Sequence, residues 1–246
     1  MSFEYVIIVV SVALLIGLSK GGFGAVLAVL CAPLLSQVMP VSQAISLALP
    51  LLIIGDVFAL RVYWNMWDNH YIKLLLPAAI VGILIGTYML ANLPDDILRR
   101  LLGIFTLMFV IYKLFGNRLL SANYKPRNWH GVFVGGIAGI GSAVANVGGP
   151  PFTAYMLLQP IAPQMFVGTM TLFFALVNVI KLPFLLAAGL YNFSDLLTVL
   201  WVIPVIPFGV WLGRYVITRI DQAAFERLML AALTIVAVFL IVVPPT

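Results

Sequence analysis

Charge is scarce in this chain: 9% of its 246 residues are Asp, Glu, Lys or Arg, against 63% that are hydrophobic. So much apolar surface cannot be hidden inside a water-soluble domain, which excludes an ordinary soluble fold. Cysteine is almost missing. Cys31 stands alone, so neither an internal disulfide nor a cysteine metal site can form. Histidine is limited to His70 and His130, both in polar connections beside aromatic residues, and there is no H-E-x-x-H pattern or Walker-type phosphate loop. Zinc-peptidase and ATP-hydrolysing readings lose their basis; no metal and no cofactor are expected. Nucleic-acid motifs are also absent, and the net charge of +5 is accounted for by Lys and Arg at the ends of apolar segments.

What the chain does have is long apolar runs. Tyr5 to Leu18, Leu74 to Asn92, Leu101 to Tyr112, Leu196 to Leu212 and Leu228 to Val243 approach or reach the ~20 residues that cross a bilayer. The pattern predicts an all-α polytopic membrane protein with the lipid bilayer as its solvent. The N-terminal run lacks a positive leader, so the first helix is expected to remain in the mature protein.

The longest polar connection, NRLLSANYKPRN, divides the chain into a first transmembrane repeat (1–116), a cytoplasmic linker (117–128) and a second repeat (129–246). The halves align where LPAAIVGILIGTY from Leu76 meets IPVIPFGVWLGRY from Ile203, pairing Pro77 with Pro204, Gly82 with Gly209, Gly86 with Gly213 and Tyr88 with Tyr215. Predicted segments are 4–19, 23–36, 42–61, 71–91 and 97–115, then 129–145, 149–160, 164–188, 195–217 and 223–243. The second segment of each half is short for a full crossing. The segmentation gives each half an odd number of crossings, hence two inverted-topology repeats with paired broken or re-entrant helical segments.

Those breaks are GLSKGGFGAVLAVLCAPLLS from Gly17 and GGIAGIGSAVANVGGPPFTAYMLLQP from Gly135. Unwound backbone at membrane depth is tolerated where it lines a cavity, and such pairs point to the binding site of a secondary transporter. Ionisable residues away from segment ends carry the same message, since each is costly unless it faces a cavity or a partner. Lys20, beside Gly21 and Gly22, suits an oxyanion, with snorkelling to the interface as the alternative. Asp56 is read as either half of an ion pair, with Lys20 among the partners, or a proton-coupling site. Asn178 and Lys181 share a helix face with Thr169 upstream, and Ser142, Asn146, Gly148 and Gly149 bracket the second break. These residues are the candidate contacts for a small anionic substrate.

Positive charge near segment ends sets orientation. The linker, with Lys113, Arg118, Lys125 and Arg127, is expected inside, as is the 62–70 loop between Arg61 and Lys73. The 92–97 and 189–194 loops and both termini are then expected outside. Two halves in one chain permit a functional monomer; a homodimer remains open.

Together these motifs resemble the sulfite exporter TauE/SafE family of bacterial membrane permeases. The resemblance rests on Gly17 to Gly24 with Pro33 downstream, the Pro50 to Asp56 stretch, the Pro77, Gly82 and Gly86 helix, Gly148 to Pro151 with Tyr155, Gly168-Thr169, and Asn178 through Lys181. Ala25 to Ala28 departs from the longer glycine run of many relatives. The resemblance implies export of sulfite or an organosulfonate across the inner (cytoplasmic) membrane. An anion channel, an importer of another sulfur oxyanion and an intramembrane enzyme are the competing readings.

Overall fold

The computed structural model describes residues 3–23, 25–119, 127–191, 197, 199–217, 219 and 222–242. Among the described residues the chain forms helices without strands: α1 Phe3–Leu18, α2 Ala25–Leu35, α3 Val41–Val62, α4 Asn69–Asn92, α5 Asp95–Leu119, α6 Asn128–Ala145, α7 Gly149–Met156, α8 Pro163–Ala187, α9 Val205–Ile217 and α10 Gln222–Val242. Four stretches, Glu4–Gly21, Val41–Val62, Asn69–Asn92 and Pro163–Ala187, are long and apolar enough to cross a membrane. Other helices leave large apolar side chains outside, such as Ile104, Met108 and Ile111 on α5, Phe208 and Trp211 on α9, and Ile235 and Val238 on α10. Faces of that kind suit lipid, and the chain is an all-α polytopic membrane protein.

Most of the expected segments coincide with helices, with two differences of detail. The segment expected over 195–217 divides: a 3-10 turn at Leu200–Val202 precedes α9, which begins just after Pro204. Proline lacks the amide proton a continuous helix needs, so Pro204 and Pro207 suit a helix start. The first glycine break stays helical, widening into a π-turn at Ser19–Phe23. Residues 120–126 of the expected linker, 192–194 of the 189–194 loop, and the extreme termini lie outside the described residues.

Packing sorts the helices into two clusters that cross the halves. One apolar cluster joins α1, α2 and α3 with Val202 of the 3-10 turn and Ile206 at the start of α9. Another joins α6, α7 and α8 with Ile72, Leu75, Ala79 and Ile83 of α4. Each is made of three helices from one half and the fourth apolar segment of the other. Backbone contact holds both exchanges: a Cβ at Gly82 would strike the Gly136 carbonyl of α6, and one at Gly17 would strike the Ile206 carbonyl of α9. Small residues permit such close approach between membrane helices, where dispersion contacts rather than water exclusion drive association. Between the clusters, α5 and α10 pack on each other and add Leu102, Phe109, Leu233 and Leu240 to a third apolar core with Leu30, Ile45, Leu49 and Leu185.

Candidate functional site

Two irregular turns meet across the clusters. In the first, α1 widens rather than ends, and π-turns of this kind are enriched at functional positions. A Cβ at Gly21 would strike the Val210 carbonyl and Gly213 of α9, and Gly22 lies within the turn. Lys20 extends toward α3. Gly55 makes room for its stem: a Cβ there would come within 3.4 Å of the Lys20 Cγ.

The Lys20 ammonium forms an ion pair with Oδ1 of Asp56. The second carboxylate oxygen of Asp56 accepts from Asn178 Nδ2 at 2.7 Å, so one acid joins α3 to the π-turn and to α8. The Lys20 side chain is 19% exposed and that of Asp56 3%; the cation is the accessible member of the pair.

The second turn is a true helix end. Asn146 follows α6 in the left-handed region at φ 55°, and Val147 N donates to the Gly141 carbonyl at 2.9 Å, closing the helix as a C-terminal cap. Lys181, buried on α8, donates to the Ser142 carbonyl at 3.0 Å and to Asn146 Oδ1 at 2.7 Å. An ammonium on the last turn of α6 also meets the negative end of the helix dipole. The Asn146 Nδ2 has no hydrogen-bond partner among the described residues. Gly148 packs on the Ala138 carbonyl and Phe174, and α7 starts at Gly149 with Pro150 and Pro151 in its first turn.

Between the turns lies a cavity of about 320 Å³. That is roughly ten times the ~30 Å³ a water takes in the liquid, ample for a small hydrated anion. Ser19, Lys20, Ala28, Val29, Leu52, Ala59 and Tyr63 line one side, and Ser142, Asn146, Gly149, Val167, Met170, Thr171, Phe174 and Asn178 the other. It runs from the level of Leu52 and Asn178 toward Tyr63 and Val167, next to the turn connecting α3 and α4. On the opposite side Ile45, Leu49 and Leu185 fill the space with apolar core.

Of the residues expected at the site, Lys20, Ser142, Asn146, Gly149 and Asn178 line this cavity. Asp56 and Lys181 lie behind its wall, each hydrogen-bonded to a lining residue. Thr169 points elsewhere: its hydroxyl accepts from the Asp68 amide at 2.8 Å and donates to the Met165 carbonyl at 2.7 Å, tying the α3–α4 turn to α8. The apolar lining was missed by sequence reasoning. Helical spacing holds the signal, since Val167, Met170, Thr171 and Phe174 lead up to Asn178 along one face at steps of three and four.

The family model for the sulfite exporter TauE/SafE family matches residues 9–240. The chain belongs to that family. No curated protein and no solved structure matches it. Membership agrees with a membrane-embedded, cation-bearing cavity, and it makes the chain a member of a family of transporters for sulfite-type substrates.

Proposed function

We propose that this TauE/SafE member is a secondary carrier that exports a small sulfur oxyanion, sulfite or an organosulfonate, across the cytoplasmic membrane by alternating access. The observation that carries this reading is Lys20 on the wall of a membrane-depth cavity whose neutral donors, Ser142, Asn146, Thr171 and Asn178, surround the remaining space. An oxyanion with several oxygens accepts from a cation and neutral donors together. Lys20 neutralises the anion, while Lys181 contributes from behind by fixing Asn146 and the end of α6. The carrier reading follows the family, which is one of transporters, and calls on no enzymatic step.

The crossed packing supports two inverted repeats, 1–116 and 129–246, joined by a cytoplasmic linker. With Arg61 and Lys73 flanking it, the 62–70 loop is cytoplasmic, both termini are outside, and the cavity opens toward the cytoplasm, where an exporter loads.

Inverted membrane vesicles test the proposal. Labelled sulfite and a labelled organosulfonate should accumulate saturably, exchange against internal unlabelled substrate, and lose accumulation in Lys20→Gln at equal protein abundance. Non-saturating flux without exchange would identify an anion channel instead. Accumulation no greater than in empty vesicles would overturn the export reading.

A further inference from the structure

Lys20 cannot serve an anion without consequence for Asp56. Its ammonium is paired with that carboxylate, which is 3% exposed and does not line the cavity. An anion entering the cavity competes for the same ammonium from the accessible side. Drawing Lys20 away leaves a buried carboxylate with one neutral donor, the Asn178 amide at 2.7 Å, and stripping one partner from a buried ion pair is strongly unfavourable.

Among the described residues no other cation is paired with Asp56, although Lys181 is near enough to attract it electrostatically. On α8, Lys181 lies three residues beyond Asn178 and is engaged by the Ser142 carbonyl and Asn146. On α2, the Cys31 thiol is buried and directed to the carbonyls of Leu27 and Val12. On α3 itself, Arg61 is exposed and five residues along, off the helix face of Asp56. Tyr63 stands further out on the cavity wall. His70 and His130 lie at the exposed starts of α4 and α6.

We propose that each anion bound at Lys20 is accompanied by one proton taken up by Asp56. The proton comes from bulk solution by way of the cavity and adds to the carboxylate oxygen that Lys20 vacates; the ammonium keeps its three protons and moves to the anion. Asn178 continues to donate to the other oxygen, now the carbonyl of a neutral carboxyl group. Before binding, the pair sums to zero; with a monoanion such as methanesulfonate bound, Lys20 and the anion sum to zero and Asp56 is neutral. A monoanion and its proton thus enter as an electrically balanced unit, whereas sulfate with one proton carries in a single negative charge. This inference rests on the anion reading of the cavity and adds its coupling ion.

The test uses the purified full-length chain in detergent, titrated in weakly buffered solution with methanesulfonate and separately with sulfate, neither of which carries a titratable proton near neutral pH. Heat reports binding, and a pH indicator reports protons. The expected result is uptake approaching one proton per anion at pH values where Asp56 starts ionised, with apparent affinity rising up to tenfold for each unit of falling pH. Asp56→Asn should bind with pH-independent affinity and take up no proton. Wild-type binding without proton uptake would overturn the coupling and leave the anion reading intact, and this measurement does not depend on the variant folding. Absence of binding by both anions would overturn the anion reading and the coupling with it. Proton uptake by Asp56→Asn equal to wild type would overturn the assignment to Asp56.

Discussion

Lys181 donates to the side-chain carbonyl of Asn146 at 2.7 Å, joining the middle of α8 to the capped end of α6. The same ammonium reaches the Ser142 carbonyl, so a single side chain holds two acceptors at the second irregular turn. A charge that the sequence offers as a ligand contact is, in the fold, the support of one.

That support predicts the behaviour of Lys181→Met, which keeps the length of the side chain and removes its donors. Two buried acceptors lose a partner at roughly 1–3 kcal/mol each in soluble proteins. Hydrogen bonds between membrane helices average ~0.6 kcal/mol, which favours the lower end. A net loss of about 1–2 kcal/mol is expected, seen as a lower thermal midpoint in detergent together with weaker anion binding. Lys181→Arg should recover part of both. Unchanged stability in Lys181→Met would contradict the supporting role.

Breaking the Lys20–Asp56 pair gives a second expectation. Lys20→Gln strands a buried carboxylate and should lower stability, though by less than the about 3–5 kcal/mol of a fully buried pair, because Lys20 borders the cavity. The double variant Lys20→Gln/Asp56→Asn removes both charges and should regain stability without regaining transport. A double-mutant cycle on thermal midpoints measures the coupling; additive single effects would mean the pair contributes little.

Neighbouring glycines separate close approach from mere presence on a helix. A Cβ at Gly82 collides with the Gly136 carbonyl, whereas one at Gly136 meets nothing nearer than the Ala78 carbonyl at 3.8 Å. Gly82→Ala should force α4 off α6 at a cost of about 1–3 kcal/mol. Gly136→Ala should be neutral or slightly stabilising, because alanine favours a helix. Equal thermal midpoints for the two variants would refute this picture of the α4–α6 contact.

Gly168 and Gly189 are required for different reasons. Gly168 lies beneath the Met66 carbonyl, where a methyl group has no room; Gly189 adopts φ +69° in open space. Gly168→Ala should displace the α3–α4 turn and lower the yield of folded protein. Gly189→Ala should cost only about 1 kcal/mol of backbone strain, and Gly189→Asn less. Limited proteolysis of the Tyr63–Asp68 turn should rise in the first variant alone.

The helices themselves were legible because twenty apolar residues in lipid leave the backbone few other options. The glycine signal was ambiguous. Gly17 and Gly21 mark contact with the backbone of α9, not unwinding, so α1 passes through its expected break as a π-turn. Asn146, not a glycine, takes the left-handed position that ends α6. Sequence has no means of separating these uses, because both exploit a small or permissive residue. The polar side of the cavity could be read from isolated Lys, Asn and Ser in apolar surroundings. Val167, Met170 and Phe174 resemble any lipid-facing or core position until a second helix is placed opposite them.

The exchange of α4 and α9 between the clusters carries a mechanical consequence. A unit that moves as one piece must contain the backbone-locked pairs, α1 with α9 and α4 with α6, and so must draw its helices from both halves of the chain. Under the proposed alternating access the α3–α4 connection would cross from one moving piece to the other and serve as a hinge. The Asn178–Asp56 hydrogen bond joins the two clusters, whereas Lys20–Asp56 and Lys181–Asn146 each lie within one, so under the proposed alternating access only the first would have to part. Opening the far side would therefore begin with the parting of one amide from one carboxylate.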